Sequence, residues 1–295
     1  MDYMKKIEES IKFTWKYKAL WLFGFIISFF GGGFNSNFNS GFDSENEKYS
    51  EASGEIEKLF ENGVFLAIFC GVVILGILIA LVGWYLSSVS NAALINAVRM
   101  DKKGEVPTFK NGWAYGRTKA WEFIKLDLIA FLLGLVVVLF MIPFIIVGVI
   151  FPPLLCLFCL IIPVLIIGMI AWWITLMSAQ RYVVLKDLSA TEGLKAGWKL
   201  LKTQVSEYII AGLISFLPGC VWTLILMPVG ILAVVAMMVV FLGILAISPV
   251  IGLVLLGIIV ITFCLVASAL NSPYVVFSHT YWTKIIMELM EREKK

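Results

Sequence analysis

Four long stretches of this sequence contain no Asp, Glu, Lys or Arg. They hold 24, 37, 53 and 76 residues, and the charged residues that bound them are the pairs Lys18 and Asp43, Glu61 and Arg99, Asp127 and Arg181, and Glu207 and Lys284. Charged residues make up only 15% of the chain, against roughly a quarter in soluble domains. Uncharged apolar stretches of this length are stable only in a bilayer. We therefore predict an all-α integral membrane protein, which excludes a soluble fold and a nucleic-acid partner.

The number of spans follows from the lengths of these stretches. Because a helix crosses the hydrocarbon core in about 20 residues, the first two stretches each accommodate one span and the last two accommodate two each. This predicts a polytopic protein of six transmembrane helices, near residues 19–30, 64–87, 128–151, 154–178, 208–235 and 244–270. Two alternatives remain. A third span in the last stretch would move Lys284 and the basic tail across the membrane. A cleaved signal peptide would need a small-x-small cleavage site of the usual kind, which residues 28–33 do not offer.

The distribution of basic residues predicts the orientation. Of the 23 Lys and Arg residues, 21 lie in the N-terminal stretch, in residues 99–127 and 181–207, and in the tail from Lys284. The segment 34–61 has two Lys against seven acidic residues. Because Lys and Arg concentrate on the cytoplasmic side, we expect a multi-pass plasma-membrane protein with both termini cytoplasmic and the acidic loop 34–61 outside.

The sequence also contains an internal repeat. A shift of 85 places residues 110–134 on residues 195–219, with eleven identities in 25 positions that include Lys-x-Gly-Trp, a Thr and a Glu. A fainter third copy begins with Thr14, Trp15 and Lys16. The prediction is a single domain over residues 1–295, built from three pseudo-repeats of a cytoplasmic interfacial helix plus a transmembrane hairpin, at about 1–98, 99–185 and 186–295.

Aromatic and basic residues alternate in residues 111–122 and 190–207, the segments before the repeated spans. This pattern is typical of amphipathic helices in the lipid headgroup region, where Trp prefers the boundary and Lys meets anionic lipid. Ser189 followed by Glu192 predicts a capping box at the start of one such helix. Membrane lipids are therefore the expected partners, together with other membrane proteins. The predicted interfacial anchors are Trp15, Trp113, Trp198, Lys195 and Lys199.

Polar side chains within the spans cluster toward the cytoplasmic ends of the second, fourth and sixth helices. If these ends converge, they form a polar recess open to the cytoplasm, in which Arg181 would contact an anion. The simpler interpretation is hydrogen bonding between helices, worth about 0.6 kcal/mol for each contact. The predicted recess residues are Asn91, Asn96, Gln180, Arg181 and Asn271.

The sequence argues against the common catalytic and metal sites. His279 is the only histidine, which excludes a His-Glu-x-x-His zinc site. Cys156 and Cys159 form a Cys-x-x-Cys in an apolar span with no His or acid beside them, so we interpret them as small apolar residues. The glycines at 31–33 are not followed by the Lys-Ser/Thr of a phosphate-binding loop. We predict no cofactor, no metal site and no enzymatic activity.

The sequence resembles one known family. The segments RYVVLKDLSATEGLKAGWKLLK at 181–202, NAALINAV at 91–98 and residues 104–116 are similar to the pattern of the glycerophosphodiester phosphodiesterase membrane-domain family and its uncharacterised relatives. The resemblance implies a six-span bundle of bacterial or archaeal type. The soluble catalytic domain to which such bundles are sometimes attached has no counterpart here, so the resemblance implies no hydrolytic activity.

Two hypotheses of function follow. The first is a non-enzymatic integral membrane module that organises or assists other membrane components. The alternative is a carrier or flippase for a lipid-like or amphipathic substrate, which would enter through the cytoplasm-facing recess. A carrier needs a continuous cavity, whereas a module can be packed solid.

Overall fold

The structure, a computed structural model, describes residues 1–31, 63–150, 155–245 and 249–293, and every regular element within these ranges is helical. A short 3₁₀ turn precedes α2, and a π turn, Ile27–Gly31, follows it. The acidic segment 34–61 and the side chains of Cys156 and Cys159 lie outside the described parts. The helices are α1 (Tyr3–Lys16), α2 (Trp21–Ile26), α3 (Gly63–Lys102), α4 (Phe109–Ile150), α5 (Leu155–Leu185), α6 (Ala190–Thr203), α7 (Val205–Leu245) and α8 (Pro249–Arg292).

The prediction of an all-α membrane protein is confirmed in its general form. Within the described residues, five helices are long and apolar enough to cross a membrane: α3, α4, α5, α7 and α8. The first predicted span falls on Lys18–Gly31, a shorter apolar helical segment. The predicted interfacial helix at 111–122 is continuous with the following span in α4. Its counterpart α6 is a separate helix that ends at Thr203, with Gln204 as its C-cap.

Local sequence signals determine several helix ends. The predicted capping box is confirmed, since the Ser189 side chain accepts from the backbone N–H of Glu192 and the Glu192 side chain accepts from the backbone N–H of Ser189. At the start of α1, Asp2 accepts from the backbone N–H of Lys5 at 3.0 Å. Gly104 has a φ of 80° in the turn between α3 and α4, a conformation that costs glycine little.

The buried core lies at the basic ends of the long helices, away from their most apolar parts. Helices α3 and α8 contain 40 and 44 residues, or about 60 Å each at 1.5 Å per residue, and a bilayer core is only about 30 Å thick. The basic ends of the long helices, which exceed this thickness, pack with the short helices α1, α2 and α6. We call this assembly the helical base. The fully buried residues of the base include Phe23, Leu94, Phe123, Val183, Leu200 and Ile286.

Outside the helical base, the apolar halves of the helices are exposed. In α7, no residue of the most hydrophobic part is buried. In α3, Val72, Ile79 and Val82 are each more than half exposed. A methyl group added at Gly134 on α4 or Gly230 on α7 would have no atom within 4 Å. These halves present to their surroundings the apolar surface that a bilayer solvates.

Three helix pairs in the base approach each other closely at a glycine. A methyl group added at Gly116 of α4 would lie 2.3 Å from the carbonyl oxygen of Val89 on α3. A methyl group at Gly197 of α6 would lie 2.8 Å from the Thr175 carbonyl oxygen on α5. The third pair joins the two ends of the chain, since Gly24 of α2 packs against the Ser272 backbone of α8. Small residues let helix backbones approach in this way.

Candidate ligand cavity

A cavity of about 1500 Å³ lies among the helices where the helical base meets the apolar halves. All five long helices line it, and so does the Ile27–Gly31 turn. Its apolar lining includes Phe30, Phe131, Trp173, Phe216, Leu224 and Trp282, and its polar lining includes Ser87, Asn91, Asp127, Gln180, Arg181, Ser278 and His279. Such a mixture of apolar walls and a few polar groups is typical of ligand-binding cavities.

Arg181 is the most deeply buried charged residue of this lining, with 2% of its surface exposed. Its Nη1 donates a hydrogen bond to the Met177 carbonyl oxygen at 2.8 Å, one turn earlier in α5. Its Nε has no hydrogen-bond partner. Among the described residues, no carboxylate lies within 4.0 Å of the guanidinium. Burying a charge without a partner costs free energy. The cavity wall therefore contains a buried cation that an anion could stabilise.

Two further polar groups line the same cavity. Asp127 of α4 accepts a hydrogen bond from the Trp84 indole Nε1 on α3 at 3.0 Å. On α8, His279 lies next to Ser278, and its Nδ1 has no hydrogen-bond partner. The hydroxyl of Tyr281, two residues further along α8, is occupied, since it donates to the Ala211 carbonyl oxygen at 3.0 Å. The cavity thus combines an arginine, an aspartate and a histidine from three different helices.

The structure brings three of the five predicted recess residues to this cavity. Asn91, Gln180 and Arg181 line it, and Asn96 and Asn271 do not. Asn96 is buried in the base and donates to the Met100 Sδ at 3.6 Å. Five residues of helix separate it from Asn91, which turns it about 140° to another face. Asn271 donates to the Ser28 Oγ at 3.2 Å, because the Ile27–Gly31 turn packs against that part of α8.

The lining residues that were not among the predicted recess residues include Trp84, Asp127 and His279. Trp84, Ser87 and Asn91 follow one another at i, i+3 and i+7, the spacing of one helix face. This periodicity in the second predicted span is the sequence signal that could have indicated which face of α3 lines the cavity. The sequence alone could not show that residues 177–181 of α5 and 274–282 of α8 form the facing walls.

The predicted interfacial anchors lie on the helical base. Trp15 is 54% exposed and Trp198 is 44% exposed, and the Lys202 Nζ lies 5.1 Å from the Trp198 ring centre. Trp113 is half-buried and stacks on Phe23 and Phe109. Lys195 is exposed, and Lys199 forms an ion pair with Glu293 at 2.8 Å. The two Lys-x-Gly-Trp segments thus both belong to the base, and their Trp side chains differ in burial.

Ion pairs and hydrogen bonds join the helices of the base at its charged face. The ammonium of Lys199 holds the pKa of the Glu293 carboxyl below its usual value. Burial raises the pKa of Tyr3 to about 12, and its hydroxyl donates to Glu207, which adds to the shift. Three of the ion pairs each join a lysine of α1, α4 or α6 to an acid at or just beyond the C-terminal end of α3, α5 or α8. They are Lys16–Asp101 at 3.9 Å, Lys119–Asp187 at 3.1 Å and Lys199–Glu293 at 2.8 Å.

Comparison with known proteins places the chain in a family. Residues 11–290 match a family of unknown function, DUF7544. The chain belongs to this family. No curated protein and no solved structure matches the chain. The family match therefore provides no activity, and the resemblance to the glycerophosphodiester phosphodiesterase membrane domains stays a prediction.

Proposed function

We propose that this member of the DUF7544 family binds a lipid-like, amphipathic molecule in the cavity and acts as a carrier or flippase without enzymatic chemistry. The single observation that carries the proposal is the cavity of about 1500 Å³ among the five long helices. Pockets for small molecules measure roughly 300–1,000 Å³, so this volume suits a molecule with acyl chains. A bundle that served only as a packed module would not need such a space.

The lining of the cavity supports an amphipathic ligand over a wholly polar or wholly apolar one. Arg181, Gln180 and Asn91 lie where the cavity meets the helical base, whereas Phe131 and Leu224 extend into the apolar halves of α4 and α7. A headgroup placed at the base would therefore leave its chains beside bilayer-facing surface. No step of bond making or breaking is needed for this function.

The proposal includes the topology and the repeats expected from the sequence. We place six spans in the plasma membrane, with Lys18–Gly31 as the beginning of the first and both termini in the cytoplasm. The close glycine contacts of α4 on α3 and of α6 on α5 support a repeated unit, as do the three ion pairs that join lysines of the interfacial segments to acids near the repeat boundaries or the end of the chain. The contact of Gly24 with Ser272 joins the first unit to the last.

A second function is favoured by the helical base. The charged groove between α1, α3 and α8 has a volume of about 730 Å³ and lies on the face that we place in the cytoplasm. A module that organises other membrane proteins would use such a surface. In that case the cavity would be filled by bulk lipid without consequence for activity.

Two glycines of α7 allow a matched test. Gly212 lines the cavity, Gly230 does not, and an added methyl group has no atom within 4 Å at either position. Gly212→Trp should therefore fill the cavity, and Gly230→Trp should add the same side chain outside it. Native mass spectrometry of each purified protein measures the lipid that remains bound, and proteoliposomes with a fluorescent phospholipid measure its movement between leaflets.

We expect the wild-type protein and Gly230→Trp to retain lipid and to accelerate its movement, and Gly212→Trp to lose both. Retained lipid with no acceleration by any of the proteins would favour the module. Equal lipid retention by the two tryptophan variants would contradict binding in the cavity.

A further inference from the structure

The geometry around Arg181 points to a ligand with an oxyanion head, and we propose that this guanidinium binds a phosphate or carboxylate group of the lipid-like molecule. This inference rests on the proposed function, and it adds the chemical class of the ligand. It also assigns one residue as the group that selects that class.

The first step is the burial of Arg181 without a counterion. The side chain lies 2% exposed in the wall of the cavity, and within the described residues no acidic group pairs with it. A buried cation whose partner is missing is strongly destabilising in proteins generally. An anion that enters the cavity would remove this cost, so the protein gains more from an anionic ligand than from a neutral one.

The second step is the hydrogen-bonding capacity that remains. One guanidinium nitrogen donates to the Met177 carbonyl oxygen at 2.8 Å, and Nε has no partner. Guanidinium groups bind carboxylates and phosphates through parallel N–H donors. The bond to Met177 fixes the orientation of the side chain, and the unpartnered Nε is a donor available to such a ligand.

The third step is the neighbourhood of Arg181 in the cavity wall. Gln180 precedes it on α5, and Ser278 and His279 line the same cavity from α8. These side chains offer further donors to an oxyanion without adding negative charge. Asp127 is the acid in the described lining, and it is bound to the Trp84 indole. It lies beyond ion-pair distance of Arg181 and does not replace a ligand there.

The test compares the headgroup preference of four purified full-length proteins: wild type, Arg181→Gln, Arg117→Gln and Gly212→Trp. Arg117 is an exposed residue of α4 outside the cavity, so its substitution removes one positive charge from the base as a matched control. The probes are phosphatidylglycerol, oleate, diacylglycerol and inorganic phosphate, each added to delipidated protein in neutral detergent. Their relative affinities are measured by native mass spectrometry and by thermal shift.

We expect the wild type and Arg117→Gln to prefer phosphatidylglycerol or oleate over diacylglycerol by about tenfold or more, the effect of one charge-assisted contact. Arg181→Gln should bind all lipids with similar affinity, and Gly212→Trp should bind none of them in the cavity. A preference for phosphatidylglycerol with little affinity for oleate would identify a phosphate head, and the reverse a carboxylate head.

The outcomes separate this inference from the proposed function. Lipid binding that Gly212→Trp abolishes, but with no preference for anionic heads in the wild type, would overturn the inference alone. A preference for anionic headgroups that persists in Arg181→Gln would also overturn the inference. So would a preference that is lost equally in Arg181→Gln and Arg117→Gln. If inorganic phosphate bound as tightly as the lipids, the ligand would be a free anion and the lipid-like class would be wrong. Absence of lipid binding by every protein would overturn the proposed function itself.

Discussion

The carboxylate of Glu122 on α4 accepts a hydrogen bond from the backbone N–H of Ala190, the first residue of α6, at 2.7 Å. The residue that the repeat aligns with Glu122 is Glu207, and it accepts a hydrogen bond from the hydroxyl of Tyr3, the first residue of α1. Each glutamate thus contacts the first residue of a shorter helix of the base. The two contacts tie α6 to α4 and α1 to α7.

Loss of the Glu122 carboxylate should loosen the start of α6. The substitution Glu122→Ala removes a negative charge and a hydrogen-bond acceptor from a helix N-terminus, which costs about 1 kcal/mol. We expect faster hydrogen–deuterium exchange in the first turn of α6, measured by mass spectrometry. Glu105→Ala, in the exposed turn before α4, is the control, and equal exchange in the two variants would show that the contact does not hold α6.

The close approach of α4 to α3 should not tolerate a side chain at Gly116. The substitution Gly116→Ala places a methyl group 2.3 Å from the Val89 carbonyl oxygen, and we expect a loss of about 1–3 kcal/mol from overpacking. Gly134→Ala lies on the same helix in open space and should leave stability unchanged or raise it by up to about 1 kcal/mol. Thermal unfolding in detergent, followed by tryptophan fluorescence, measures both, and similar melting temperatures for the two variants would contradict the packing.

Acidic pH should weaken the contacts of Asp187 with α3 and α4. Burial raises the pKa of this carboxyl, but the ion pairs with Lys119 at 3.1 Å and Arg99 at 3.6 Å outweigh burial and hold the pKa below its usual value. Because the folded-state pKa is lowered, the Asp187 carboxylate contributes fully to the free energy of unfolding above its unfolded-state pKa of about 3.9. This contribution is lost as the pH falls through the folded-state pKa.

The test of this pH dependence is Asp187→Asn. The φ of 55° at this position is one that Asn also adopts readily, so the substitution removes the charge and keeps the backbone. We expect the variant to lose part of the decrease in melting temperature that the wild type shows on acidification below about pH 4. The change in the free energy of unfolding should be below about 1 kcal/mol because the Asp187 carboxyl is half exposed. Identical dependence of melting temperature on pH in the wild type and the variant would contradict a stabilising role for this carboxylate.

Accessibility labelling tests the orientation. A cysteine introduced as Ser53→Cys lies in the acidic segment 34–61, and Thr191→Cys lies on the exposed side of α6 in the base. With a membrane-impermeant maleimide, we expect the first to react in intact cells and the second only after permeabilisation. The reverse pattern would mean that both termini lie outside the cell.

The sequence by itself determined that this chain is a multi-pass helical membrane protein, because stretches of up to 76 uncharged residues have no stable place in water. It also predicted the capping box at Ser189 and Glu192, since a cap depends on residues three positions apart. It located Asn91, Gln180 and Arg181, which line the cavity, through the rule that polar groups in spans are rare and cluster at functional positions.

The tertiary structure decided which faces meet. Asn96 and Asn271 are as polar as Asn91, yet one is buried in the base and the other contacts Ser28. The sequence predicted spans that end near the bilayer surface, whereas the helices continue into a base whose core contains Leu94, Tyr182 and Ile286. Composition determines in which environment a segment is stable. The rotation of each helix and the choice of its neighbours depend on tertiary contacts, such as that between Asn271 and Ser28.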